Sequence, residues 1–207
     1  VVEIGSGWGG FAVYLAEQME PVKRLVAIKM LREELIAPDI VTRFEIERQT
    51  LSMMDSPNIA KIYDAGTWEG RRPFFVMEWV EGRIIMNPLE SNLPPDELGA
   101  IYRSYISTAA KLHSVDYERV GLADYGRPGN YFSRQISRWT DQYRASETDQ
   151  LVDMEELISW LPNNVPEDET TSIVHGDFTI RNMVMDNRKP EVRAILDWEL
   201  STIGHPL

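Results

Sequence analysis

The chain has no cysteine in its 207 residues. Disulfides, thiolate zinc sites and a cysteine nucleophile are therefore excluded, and a cytoplasmic location is the expectation. No apolar run reaches the roughly 18 residues of a spanning helix, so no membrane contact is expected. Positive charge is scarce: 21 Lys and Arg stand against 33 Asp and Glu, a formal net charge of −12. That balance argues against nucleic acid as a partner, because non-specific affinity comes from Lys and Arg neutralising phosphates. An initiator Met, a signal-peptide pattern, internal repeats and low-complexity segments are also missing. With Val1 at one end and Leu207 at the other, the sequence reads as a fragment at both ends. Apolar content of 43% and charged content of 26% are ordinary for a globular chain.

What is present is concentrated in His175-Gly176-Asp177-Phe178-Thr179-Ile180-Arg181-Asn182 and the later Ile195-Leu196-Asp197-Trp198. Met183-Val184-Met185 and the run from Val192 to Leu196 read as two strands around an Asp-Asn-Arg-Lys-Pro turn. Such a hairpin returns Asp197 to the end where Asn182 began. The pattern suits phosphoryl transfer from ATP with Mg²⁺. Asp177 would orient an attacking hydroxyl and accept its proton. Asn182 and Asp197 would supply hard oxygen ligands to the metal on the nucleotide phosphates.

This stretch resembles the catalytic loop and metal-binding Asp of the aminoglycoside phosphotransferase family, whose fold is shared with protein kinases. Gly126-Arg127-Pro128-Gly129-Asn130-Tyr131-Phe132, Arg134-Gln135-Ile136 and Asp197-Trp198-Glu199-Leu200-Ser201-Thr202 resemble the phosphotransferase domain of acyl-CoA dehydrogenase family members 10 and 11. The resemblance covers about Phe75 to Leu207. It implies an α+β, protein-kinase-like two-lobe fold. The N-lobe, residues 1–80, would be an antiparallel sheet with one helix, and the hinge would lie at 77–82. Residues 83–207 would form a mainly helical partial C-lobe, truncated at its end.

The first half resembles a different relative. From about Val13 to Val76 the chain is similar to bacterial serine/threonine protein kinases. The shared strings include Arg43-Phe44-x-x-Glu47-Arg48-Gln49 and Pro57-Asn58-Ile59-Ala60. Leu25-Val26-Ala27-Ile28-Lys29-Met30 resembles the kinase strand in which Ala packs on adenine and Lys reaches the phosphates. Glu47 falls within the apolar stripe Ile40, Phe44, Leu51 and Met54 of the following helix. A carboxylate on that face needs a partner, and Lys29 is the candidate. In the run into Gly82, the resemblance implies adenine bonding to Glu78 C=O and Val80 N–H, with Met77 lining the back of the pocket.

The opening Glu3-Ile4-Gly5-Ser6-Gly7-Trp8-Gly9-Gly10 has two readings. Gly5, Gly7 and Gly10 resemble the kinase loop over ATP, with a returning strand from Phe11 to Glu17. The same residues also resemble the cofactor loop of S-adenosylmethionine methyltransferases. Periodicity does not choose, since Phe11, Val13 and Leu15 alternate as in a strand while Phe11, Leu15 and Met19 fit a helix face.

Further on, Leu98, Ile101, Tyr105, Ala109 and Leu112 recur at helical spacing. A later helix is expected to turn Phe132, Ile136 and Trp139 inward. Arg127, Arg134 and Arg138 are candidates to meet an anionic substrate. The leading expectation is a phosphotransferase acting on the hydroxyl of a small molecule, for which the resemblance suggests a hydroxyacyl thioester. A protein serine/threonine kinase and a non-catalytic spliced fragment are the alternatives. Against the protein kinase stand His-Gly-Asp in place of His-Arg-Asp, Thr179 in place of a Lys, and Asp-Trp-Glu in place of Asp-Phe-Gly. Nothing in the sequence indicates the oligomeric state.

Overall fold

The computed structural model describes residues 2–5, 11–54, 56–88, 92–168 and 170–206. In chain order its main elements are β1 (Val2–Gly5), β2 (Phe11–Gln18), β3 (Arg24–Leu31), α1 (Pro38–Met53), β4 (Ile62–Trp68), β5 (Arg72–Glu78), α2 (Pro95–His113), α3 (Tyr131–Ser146), α4 (Val152–Trp160), β6 (Ser172–Val174), β7 (Met183–Met185), β8 (Val192–Ile195) and β9 (Thr202–Gly204). Packing divides the chain into two compact units. One comprises Val1–Lys111 with His175–Ser201, the other Leu112–Val174 with Thr202–Leu207.

In the first unit, β1 to β5 form one antiparallel sheet in the order β1-β2-β3-β5-β4. The segment from Phe11, ambiguous in the sequence, is a strand. It pairs with β3 without a break from Phe11↔Leu31 to Gln18↔Arg24, and β1 pairs on its other edge. From Phe11 on the chain is a strand, where a methyltransferase loop would lead into a helix. Helix α1 opens with Pro38 in its first turn, where a missing N–H costs nothing. It buries Phe44 between Phe11 and Phe75, with ring centroids 5.8 and 5.0 Å away. Those aromatic contacts set the rotation of α1 and aim Glu47 at the sheet.

After the Pro57-Asn58-Ile59-Ala60 string, β4 begins only at Ile62. The residues before it are engaged elsewhere. The Ile195 N–H donates to Asn58 C=O at 2.9 Å, the Asn58 side-chain amide donates to Val192 C=O at 2.8 Å, and Ile59 bridges Ile195. Strands β7 and β8 form the expected hairpin. Arg83 exchanges backbone hydrogen bonds with Met185, both at 2.8 Å. Gly82 lies so close to this strand that a Cβ there would meet the Met185 backbone. The hairpin is thus stitched to both the loop after α1 and the connector after β5.

In the second unit β6 pairs antiparallel with β9, and Gly204 of β9 lies against the Tyr131 ring. Phe132 packs on His205 at 4.7 Å between ring centroids. Trp139, expected inward, is 59% exposed. Helices α3 and α4 carry no buried residue, so the stripe read on α3 is amphipathic without being enclosed. Arg134 donates to the carbonyls of Gly129 and Arg127. This ties down the glycine-rich loop and occupies a guanidinium that the sequence offered to an anion.

Candidate active site

Strand alternation puts Ala27, Lys29 and Leu31 on one face of β3. All three are buried. The Lys29 ammonium lies 2.6 Å from Glu47 Oε2 and 3.0 Å from Asp197 Oδ1. It also sits 4.5 Å from the centroid of the Phe11 ring. Burial by itself would depress the lysine, but Glu47 and Asp197 overcome it and hold the ammonium above its usual range. Burial raises the Glu47 carboxyl, and Lys29 opposes that rise. With two carboxylates on it, Lys29 stays charged at neutral pH. The Asp197 side chain is half-exposed, at 51%, so it presents an oxygen to solvent while Glu47 does not.

The loop from His175 to Asn182 is fixed by its own polar groups. His175 Nε2 bonds the Leu196 carbonyl at 2.8 Å, which makes it the protonated nitrogen. Nδ1 then accepts from the Asp177 N–H at 3.3 Å. One neutral imidazole therefore ties Asp177 to the residue before Asp197. Burial lowers the His175 pKa, which favours that neutral form. Asn182 Nδ2 donates to both Asp177 C=O and Asp177 Oδ2 at 2.9 Å. Gly176 has φ +84°, and a Cβ there would run into the Leu200 backbone. Only glycine meets both demands without strain. Asp197 itself sits at φ 59°, ψ 62°, a left-handed conformation that Asp tolerates better than most residues. Trp198 after it is fully buried, donates to Ile195 C=O at 3.1 Å and meets the His175 ring at 4.8 Å.

Beside these groups lies a cavity of about 250 Å³. Val13, Ala27, Met77 and Glu78 line it from the sheet, and Val80 from the connector. Val184 and Ile195 of the hairpin complete it, with Lys29, Glu47 and Asp197 at its polar end. Among the residues singled out from the sequence, Ala27, Lys29, Glu47, Met77, Glu78, Val80 and Asp197 are thus brought together. Asp177 and Asn182 join them through His175 and Leu196. Gly5 ends β1 opposite Val13, while Gly7 and Gly10 lie outside the described residues.

Other contributors were not singled out. The Ser104 hydroxyl on α2 accepts from the Val192 N–H at 2.9 Å, and the Tyr105 hydroxyl donates to Phe178 C=O. Both sat in a helix read for its apolar stripe alone. Glu199 is half-buried. Burial raises its carboxyl, which Lys29 opposes, and its Oε2 has no partner among the described residues.

A buried Lys–Glu pair reaching an Asp at the end of a hairpin, with an Asp–Asn pair on the preceding loop, is a polar framework suited to phosphoryl transfer. The family model that matches residues 14–207 is described as the phosphotransferase enzyme family. The chain belongs to this family. Mouse acyl-CoA dehydrogenase family member 10 is 43% identical over 134 residues, and human family member 11 is 43% identical over 135. Each match takes 65% of this chain but only 12% and 17% of those proteins. The chain thus spans between about an eighth and a sixth of these relatives. The serine/threonine-protein kinase PrkC of Bacillus subtilis is 40% identical over 111 residues, 52% of this chain and 17% of that one. The shares taken by the two kinds of relative exceed the chain, so they overlap within it.

Among solved structures, a Ralstonia eutropha JMP134 protein provisionally called an aminoglycoside phosphotransferase has a TM-score of 0.77 and 35% identity. That match covers 99% of this chain and 63% of the other. The streptomycin–ATP ternary complex of APH(2'')-IIa matches with a TM-score of 0.59 at 17% identity, over 94% of this chain and 68% of that one, a likeness of fold alone. The α+β, protein-kinase-like fold read from the motifs is the fold of these neighbours. Among the described residues no helix is long and apolar enough to cross a membrane.

Proposed function

We propose that this phosphotransferase-family chain moves the γ-phosphate of ATP to a hydroxyl of a small molecule. The observation that carries the reading is Lys29 held by Glu47 and Asp197 at the polar end of an apolar cavity. The cavity would take adenine against Ala27 and Met77, with the connector backbone at Glu78 and Val80 as its bonding edge. Lys29 would then meet phosphate oxygens, and residues 77–82 would act as the hinge between lobes at 1–80 and 83–207. The fold neighbour solved with ATP supports the choice of nucleotide.

The donor set fits Mg²⁺. Asn182 spends its amide nitrogen on Asp177, which leaves the amide oxygen for a cation, and Asp197 offers a half-exposed carboxylate. Two protein oxygens are too few for a stand-alone site, and no cluster of three or more acidic, His or Cys ligands exists among the described residues. They suit an ion that arrives on phosphates. When bound beside Asn182 and Asp197, the ion would neutralise charge on the nucleotide phosphates. Asp177 orients the acceptor hydroxyl and takes its proton. The acceptor oxygen bonds to the γ-phosphorus, the bond from that phosphorus to the β–γ bridging oxygen breaks, and ADP leaves with the electron pair.

For the acceptor we propose a hydroxyacyl thioester, since the relatives that match 65% of this chain are named for the acyl-CoA dehydrogenase family. The PrkC match favours protein serine/threonine kinase activity as the second reading. The test is γ-phosphate transfer from ATP to a panel of hydroxyacyl-CoA thioesters, an aminoglycoside and a Ser/Thr peptide, for wild type and Asp177→Asn. Transfer to the thioesters that Asp177→Asn reduces at least 100-fold, with ATP affinity unchanged, is expected. Transfer to the peptide alone would overturn the acceptor class, and full transfer by Asp177→Asn would overturn the role of Asp177.

A further inference from the structure

The hydroxyl of Tyr105 donates to the carbonyl of Phe178, the residue after Asp177. The two rings pack with centroids 4.9 Å apart, and Tyr102 one turn earlier meets Tyr105 edge-on at 6.5 Å. Burial, then Tyr102 and Asp177 nearby, raise the Tyr105 phenol, so it remains a proton donor throughout the neutral range.

The other bonds on this part of the loop run within it or, through His175, to Leu196. The Asp177 N–H goes to His175, and the Asp177 carbonyl accepts from Asn182 and from the Thr179 N–H at 2.8 Å. These hold the loop to its own turn and to the segment that leads to Asp197, and none of them reaches α2. Tyr105 comes from a different element. Helix α2 is itself anchored, with Ile101 fully buried and Ser104 holding the Val192 N–H of β8. Adjacent residues of one helix therefore hold the strand that leads to Asp197 and the loop that carries Asp177.

We propose that Tyr105 is a positioning residue of the phosphotransfer site, whose hydroxyl fixes Asp177 through the Phe178 carbonyl. The inference rests on the phosphotransferase reading for its catalytic consequence, but not for the clamp itself. In Tyr105→Phe the aromatic packing stays and the loop loses its bond to α2. Misplacing a reacting group by about 1 Å can cost as much as 100-fold in rate, whereas nucleotide affinity, set at Lys29 and the cavity, is untouched.

The test compares wild type and Tyr105→Phe in two measurements. One is Mg-ATP hydrolysis with water as the acceptor. The other is hydrogen exchange of the Asp177–Thr179 amides against those of β3 as internal control. The expected result is a kcat lower by about 10- to 100-fold, a KM for ATP within twofold, and faster exchange confined to Asp177–Thr179. An unchanged kcat would overturn the proposal, as would a kcat that falls together with ATP affinity and with faster exchange in β3, the mark of a merely structural role. If the wild type turns over no ATP with water, kcat carries no information on Tyr105, and transfer to the acceptor panel decides the phosphotransfer reading. The exchange result then decides the clamp by itself: faster exchange at Asp177–Thr179 supports it and unchanged exchange overturns it.

Discussion

Lys29 carries the site's electrostatics and part of its stability. Replacing Lys29 with Met would leave the Glu47 carboxylate buried without its cation, a change that costs about 3–5 kcal/mol in comparable pairs. Adding Glu47→Leu removes the stranded charge, so the double variant is expected to melt above the single one while still failing to bind Mg-ATP. Urea denaturation with and without nucleotide checks both halves of that prediction, and equal stability of single and double variants would contradict the pairing. His175 gives a pH signature. Its folded pKa lies below its ordinary value of about 6.5, so the unfolded chain binds the extra proton first. Its contribution is full above about pH 6.5 and is lost as pH falls towards the folded value. His113, also lowered by burial, acts with the same sign. Stability should therefore decline below about pH 6.5, and His175→Asn should flatten the slope without abolishing it. An unchanged slope would contradict a buried neutral His175. Gly176→Ala brings about 1–2 kcal/mol of left-handed strain and a clash with the Leu200 backbone besides. A melt as stable as wild type would contradict the conformation at that position.

At the scale of elements, the hairpin of β7 and β8 is the part on which the site depends. It is held by Asn58 from the loop after α1, by Ser104 from α2 and by the Arg83–Met185 exchange after β5. Beyond its end, Trp198 is buried beside His175 and fixes the turn that aims Asp197. Trp198→Phe keeps most of the ring but loses the bond to Ile195 C=O. A loss of about 1 kcal/mol is expected from the missing bond, with transfer falling more than nucleotide affinity. Calorimetry and kinetics on one preparation would check it, and a wild-type melt with wild-type kinetics would contradict the anchoring role. Much of this element was legible. The spacing of Asp177, Asn182 and Asp197 around two short apolar runs announced the hairpin, and Glu47 within an apolar stripe announced a buried partner. The stitches were not legible. Tyr105 stood in a helical apolar stripe, where a ring explains the residue and nothing signals what its hydroxyl does. Asn58 stood in a Ser-Pro-Asn turn, where its composition already accounted for it. The late start of β4 follows from the same stitch, a contact across more than a hundred residues that local pattern does not encode. The strand nature of Phe11–Gln18 was undecided because both periods fitted, and pairing with β3 decided it.

For the whole molecule, two resemblances meet in one chain, to protein kinases and to the phosphotransferase domains of acyl-CoA dehydrogenase relatives. The polar triad joins residues from both stretches, with Lys29 and Glu47 from the first and Asp197 from the second. Residues 1–111 and 175–201 pack as one compact unit, which gives that triad a common frame. As proposed, this triad belongs to a working Mg-ATP site. The most direct measurement is thermal unfolding with and without Mg-ATP for wild type and Asp197→Asn, a substitution that keeps tolerance for the left-handed backbone while removing the charge. At about 100 times its dissociation constant the ligand should stabilise the wild type by about 2.7 kcal/mol, a rise of roughly 5–10 °C for a chain of this size. In Asp197→Asn the rise should shrink to less than half. A wild-type melt indifferent to Mg-ATP, or an equal rise in the variant, would contradict a nucleotide site at this triad.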